Sequence, residues 1–189
     1  MHIDFSANAW NETDIVHAWG MRFNENGRFV QKEDHIENRE DPACTYGFEN
    51  IALMSREKYG PGAKVTVECS FTENGAPLIT LSEDLFPDGN GDFRYGSYYE
   101  LVLYKNGINL WRHYRDNGKA AWYLAMSAEF PVPDSVRHTI AVGIRPNYLD
   151  LYADGRKFYV RIFDMAPAYH LGLTSCEGVN SFYSMDIEG

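Results

Sequence analysis

The stretch Tyr98-Tyr-Glu-Leu-Val-Leu-Tyr-Lys-Asn-Gly-Ile-Asn-Leu-Trp-Arg-His-Tyr-Arg115 decides how this chain is read. Leu101, Leu103 and Leu110 alternate with Glu100, Val102, Asn109 and Trp111 on either side of Asn106-Gly107. Alternation with period two marks a half-buried strand, and Asn-Gly between two such runs suits the positive-φ positions of a tight hairpin. If Asn106 and Gly107 form the two-residue loop, Lys105 faces Ile108 and the register follows by subtraction. Tyr104 then opposes Asn109, Val102 opposes Trp111, Glu100 opposes His113, and Tyr98 opposes Arg115. These eight side chains share one face. Leu101, Leu103 and Leu110, with Tyr99, Arg112 and Tyr114, occupy the other, which reads as the core side.

The same period extends outward along the chain. Val65, Val67, Cys69 and Phe71 alternate with Lys64, Thr66, Glu68 and Ser70. Similar runs cover 78–81, 121–127, 139–145, 148–153, 157–163, 171–176 and 182–187, which makes about ten strands with the hairpin. Between them stand the turn signals Gly60-Pro61-Gly62, Asn74-Gly75, Asp88-Gly89-Asn90-Gly91, Asn117-Gly118 and Asp154-Gly155. Residues 49–59 fit a helical period and also alternate at Ile51, Leu53 and Ser55; a strand is expected there. No linker, repeat or low-complexity run divides the sequence, so residues 1–189 are expected to form a single all-β domain, an antiparallel β-sandwich.

Composition narrows the function classes. The 189 residues carry 17 Lys+Arg against 27 Asp+Glu, a formal charge of -10, which opposes long-range attraction to phosphate and argues against nucleic acid as a partner. No run approaches the roughly 20 apolar residues of a membrane helix, so membrane insertion is not expected. Met1-His2-Ile3-Asp4 is not a signal peptide; the expectation is cytoplasmic for a complete chain and extracellular for an excised domain. Thirteen Tyr, eleven Phe and four Trp exceed the need of a core this size and suggest an exposed platform. Cys44, Cys69 and Cys176, odd in number and widely spaced, read as free thiols, with Cys69 in the core. Trp122 alternates with Leu124 and Met126 and reads as core, whereas Trp10 and Trp19 flank polar residues and read as the rim of a groove.

Tyr148-Leu-Asp-Leu-Tyr-Ala-Asp-Gly155, then Leu171-Gly-Leu-Thr-Ser-Cys-Glu-Gly178 and Phe182-Tyr-Ser-Met-Asp-Ile187, resemble the closing strands of concanavalin A-like lectin/glucanase jelly rolls. The resemblance implies a convex and a concave sheet, a glycan held in the groove of the latter, and first and last strands, here 2–5 and 182–187, lying side by side. It does not imply one activity.

The candidate ligand-binding set is therefore Tyr98, Glu100, Tyr104, Asn109, Trp111, His113 and Arg115. Sugars need a flat ring to stack their C–H face and planar polar groups to meet their hydroxyls. Trp111 would stack, while Glu100, Arg115 and the remainder would accept and donate hydrogen bonds to an oligo- or polysaccharide. In the competing reading Glu100 and His113 are an ordinary cross-strand pair and Trp111 fills core. An enzyme on the same groove, a glycoside hydrolase or polysaccharide lyase, would draw on Glu100, His113 and Tyr98. The glucanase spacing Glu-x-Asp-x-x-Glu has only a partial counterpart in Glu12-Thr-Asp-Ile-Val-His17, where His17 replaces the second acid. A protein-interaction domain docking through exposed aromatics is the third class. No cofactor is required by this reading, although Asp88, Asn90 and Asp92, at i, i+2 and i+4, offer oxygen ligands suited to Ca²⁺. His35, His138 and His170 stand apart, without zinc-site spacing.

Overall fold

A computed structural model of the protein describes residues 1–20, 28–38, 51–72 and 74–189. The described residues contain no helix and seventeen strands. One eight-stranded sheet runs β15 (Arg156–Arg161), β14 (Tyr148–Ala153), β13 (His138–Ile144), β6 (Lys64–Thr72), β17 (Val179–Glu188), β4 (Ile36–Glu37), β3 (Val30–Gln31), with β1 (His2–Asp4) paired to β17. The other, of nine strands, runs β12 (Lys119–Glu129), β11 (Gly107–Asp116), β10 (Tyr98–Tyr104), β7 (Ala76–Ser82), β16 (Tyr169–Cys176), β5 (Ile51–Tyr59), β2 (Ile15–Trp19), β9 (Phe93–Tyr95), β8 (Leu85–Pro87). Every pairing is antiparallel except β2 with β9. The result is an all-β jelly-roll sandwich.

Beyond the ten alternating runs and the expected strand at 51–59, the added strands are β2, of five residues, and β1, β3, β4, β8 and β9, each of two or three. Strands of two or three residues are too brief to show a period. The long strands fall where alternation places them, and the segment from Ile51 to Tyr59 is a strand; residues 49 and 50 lie outside the described residues, as does Cys44. The first and last strands pair, Ile3 opposite Met185.

The core lies between the sheets. Val65, Val67, Cys69 and Phe71 of β6 meet Leu101, Leu103 and Leu110 of the hairpin in one cluster with Leu171, Leu173 and Phe182. Burial lifts the Cys69 thiol far above its ordinary range, so this sulfur is inert filling. A second, smaller cluster, including Val16, Ala52, Met54, Tyr95 and Tyr98, lies on the outer face of the nine-stranded sheet.

Turn chemistry follows the sequence at two hairpins. Asn117 and Gly118 take φ of +49° and +79°, and Asp154 and Gly155 take +47° and +77°, the left-handed pairs that match strand twist. On the eight-stranded sheet Asp150 is buried yet receives the Arg145 Nε–H at 2.8 Å and lies 2.9 Å from the Lys157 ammonium. Burial works to raise this carboxyl, but the two cationic donors outweigh it and hold it below the usual range. A lowered folded-state value stabilises above the unfolded range and is lost as pH falls through the folded value. Asp150→Asn is therefore expected to cost about 1–2 kcal/mol at neutral pH, discounted because both cations are half exposed. The difference in melting midpoint from wild type should shrink as pH drops below 4, and a gap constant with pH would refute the ion-pair account.

Candidate functional site

The hairpin β10–β11 pairs two residues out of the expected register. Tyr98 opposes His113, Glu100 opposes Trp111, Val102 opposes Asn109, and Tyr104 opposes Gly107, so the loop is Lys105-Asn106. Gly107 is needed one step later than a tight turn requires. At φ +138° it lies against β12, where a Cβ would fall 2.0 Å from the Ala128 carbonyl oxygen. The loop carbonyls of Lys105 and Asn106 accept from the amides of Val132 and Phe130 at 3.0 Å each, which ties the turn to the chain leaving β12. A slip of two preserves every face, because side chains alternate with period two.

On the outer face of the nine-stranded sheet three cross-strand rows result. Leu124, Trp111, Glu100, Thr80 and Gly172 form the middle one. Trp122, His113, Tyr98, Ser82 and His170 lie on one side; Ser127, Asn109, Val102, Leu78 and Thr174 lie on the other. The twist and the loops at both ends leave a groove of about 350 Å³ over these rows, lined by Glu100, Tyr104, Asn109, Trp111, His113, Trp122 and Glu177 with apolar Ala76, Leu78 and Val102. That volume is in the range of small-molecule clefts.

Five of the seven expected binding residues line this groove. Tyr98 is instead fully buried, its ring stacked under His113 with centroids 4.5 Å apart and planes 5° off parallel. Tyr95 packs edge-on against it at 4.8 Å. Tyr98 thus forms the floor that holds the imidazole flat. Arg115 lies outside the lining; it is exposed and donates to the Gly118 carbonyl at 3.2 Å. The reason is position: Arg115 lies next to the Asn117-Gly118 turn, where the hairpin has left the sheet's centre.

Besides apolar Ala76, Leu78 and Val102, the lining adds Trp122, Cys176 and Glu177, none of them in the expected binding set. Trp122, expected in the core, is 47% exposed because β12 is an edge strand whose outer face bears on the groove. Trp19, expected at a rim, is 2% exposed, on a strand enclosed by β5 and β9, with the Arg28 guanidinium 5.4 Å from its ring. Trp10 does remain partly exposed, its indole N–H donating to Gln31 Oε1 at 2.8 Å beside Glu12 and His17. His17 Nε2 lies 3.0 Å from Glu12, so the two chemical residues of that glucanase-like string pair with each other, away from the groove.

Glu177 comes from the β16–β17 turn. It holds φ +58° and the following Gly178 +53°. The turn is fixed by Asn180, whose side-chain amide donates to the Glu177 carbonyl at 2.9 Å and to Ser175 Oγ at 2.7 Å, while Asn38 Nδ2 donates to Gly178 O at 3.0 Å. A left-handed non-glycine residue costs on the order of 1 kcal/mol and persists only where its surroundings impose it. Burial raises the Glu177 carboxyl above the usual range. Glu177-Gly178 was not among the turns read from the sequence, and only the order β10-β7-β16 brings it beside Glu100.

Glu100 and His113 are both buried, His113 Nε2 lying 3.0 Å from Glu100 Oε2. Glu100 Oε1, His113 Nδ1 and Asn109 Oδ1 are buried with no hydrogen-bond partner among the described residues. Unmet polar atoms at a groove wall mark a place where an incoming ligand can complete hydrogen bonds. A larger cavity, about 440 Å³, lies where β12 and β15 converge; its Arg112 is already paired with Glu83 and stacked 4.4 Å over Tyr99, whose hydroxyl burial pushes up to about 12.

Asp88 Oδ1 accepts from the amides of Asn90 at 2.7 Å and Asp92 at 3.1 Å, and the Asp92 carboxylate pairs with Arg28. A calcium ion there would share the Asp92 carboxylate with Arg28. Among the described residues no group of three or more His, Cys, Asp and Glu is placed to hold a metal ion.

No family model matches the chain, and no curated protein matches it. Solved structures do. Carbohydrate binding module CBM66 from Bacillus subtilis superposes with a TM-score of 0.63 at 13% identity, covering 87% of this chain and 92% of that one. A prokaryotic beta-1,3-1,4-glucanase (lichenase) derived from a mouse hindgut metagenome gives 0.63 at 13%, covering 98% and 96%. Beta-agarase A in complex with oligoagarose gives 0.66 at 10%, covering 99% and 87%. These likenesses, at 10–13% identity, establish the fold alone: the chain has the jelly-roll β-sandwich that the concanavalin A-like resemblance implied.

Proposed function

We propose that the protein is a carbohydrate-binding β-sandwich that holds an oligo- or polysaccharide in the groove over β10, β11 and β12. The observation that carries this is the meeting, in one cleft, of two partly exposed indoles with three buried polar atoms that no group among the described residues satisfies. Indole faces take the C–H side of a sugar ring, and the polar atoms take its hydroxyls. That solved structures of this fold include a carbohydrate binding module, a beta-1,3-1,4-glucanase and a beta-agarase supports the ligand class.

A second reading rests on Glu177. A carboxyl with a raised affinity for its proton, in a groove that also holds Glu100, has the makings of a general acid, and a carboxylate pair is what glycoside hydrolysis uses. A lyase needs a cation beside its base to neutralise a uronate, and it is less well served, because Arg115, the one guanidinium of the expected binding set, is outside the groove.

The test is a depletion screen on a broad panel of insoluble and soluble polysaccharides, following both bound protein and newly released reducing or unsaturated ends. Binding without product is expected. Product release, abolished by Glu177→Gln, would install the hydrolase reading instead. Retention of nothing on the whole panel would remove both and leave the protein-interaction class.

A further inference from the structure

The polar atoms that the groove leaves unmet share one chemical sense. Glu100 Oε1 and Asn109 Oδ1 are acceptors. His113 Nδ1 joins them whenever the ring is neutral, because its Nε2–H is then the proton that faces Glu100 Oε2 at 3.0 Å. Around them stand a second carboxylate, Glu177, and the two indoles, and among the described residues no lysine or arginine lines the groove.

A ligand that completes such a site must donate. Hydroxyls donate one hydrogen each, whereas an ammonium donates three and brings a charge that the carboxylates stabilise. A carboxylate and an indole face together are the arrangement that holds a cation, the ring quadrupole adding to the ion pair. Glu100 and Trp111 are directly opposed across the β10–β11 ladder, which puts both on one cation's side. A uronate would bring acceptors to acceptors and negative charge to negative charge. The net charge of -10 acts in the same direction at long range.

We infer that the saccharide taken by this groove is an amino sugar with a free ammonium group, seated between the Glu100 carboxylate and the Trp111 ring. This rests on the glycan-binding reading above and specifies its substrate class. A cation beside Glu177 would also restore the stabilisation that burial has taken from its carboxylate.

The experiment is calorimetric titration of the whole chain with four tetrasaccharides: β-1,4-glucosamine, its fully N-acetylated form, β-1,4-glucose and a polygalacturonate fragment. Tetralysine serves as a charge control, and the pH is held where the amines are protonated. The glucosamine oligomer is expected to bind at least tenfold tighter than the acetylated and neutral ones, the uronate not at all and tetralysine weakly. Glu100→Gln should weaken binding of the glucosamine oligomer at least tenfold and that of the neutral oligomer by a smaller factor, so that the preference between them is erased, and Glu177→Gln, on a separate turn, should reduce the preference in part; melting midpoints would report whether each variant is folded. Equal binding of neutral and amino oligomers overturns the amino-sugar inference and leaves the glycan reading standing. Tetralysine binding as tightly as glucosamine overturns it too, reducing the effect to bare charge. No binding of any saccharide overturns both.

Discussion

Gly107→Ala is expected to destabilise the protein by about 3–5 kcal/mol, lowering the melting midpoint by about 10 °C. Two costs combine. The backbone sits at φ +138°, outside what an L side chain adopts easily, and the new Cβ would fall 2.0 Å from Ala128 O and 3.0 Å from Ala128 C, both backbone atoms of the neighbouring strand. Gly118→Ala isolates the first cost from the second: its φ is +79°, with open space where the Cβ would go. About 1 kcal/mol is expected there. If calorimetric melts showed the two variants alike, close approach to β12 would not be what selects glycine at 107. Because the groove is built on β11 and β12, Gly107→Ala should also weaken saccharide binding, and Gly118→Ala should not.

Trp111→Ala is expected to lower saccharide affinity about 30-fold or more, on the order of 2 kcal/mol, the cost of removing a central aromatic anchor. Trp111 stands in the middle row between Glu100 and Leu124, whereas Trp122 lies a row away on the edge strand. Trp122→Ala should therefore cost less, about fivefold. Titration calorimetry on the best polysaccharide fragment from the screen would separate them. An unchanged affinity in Trp111→Ala, with the melting midpoint near wild type, would place the ligand elsewhere on the molecule. The cavity between β12 and β15 would be the next place to look.

Much of the site was legible because parity is robust. The hairpin register differs by two residues from simple subtraction, yet Glu100, Tyr104, Asn109, Trp111 and His113 remain on one face and all line the groove. A slip of one would have reversed them. The errors concern depth rather than face. Tyr98 shares the face but lies where the second apolar cluster covers the sheet, so it is buried; Arg115 shares it but lies past the covered part, so it is solvated.

Local sequence determined the strands, since alternation with period two is imposed by the pleat, and it determined the Asn117-Gly118 and Asp154-Gly155 turns, since only certain residues tolerate positive φ. It also determined which side chains travel together along a strand. What only the tertiary structure decided is which strands become neighbours and where each sheet ends. Trp19 is enclosed and Trp122 laid open because β2 is interior to its sheet and β12 is an edge, a distinction that no alternation records. Glu177 reaches Glu100's groove because β7 stands between β10 and β16, and the β7–β16 pairing joins residues 88 to 100 positions apart in the chain. Such non-local pairing is set by the burial of two whole sheet faces against each other, a property of the assembled sandwich rather than of any window of sequence.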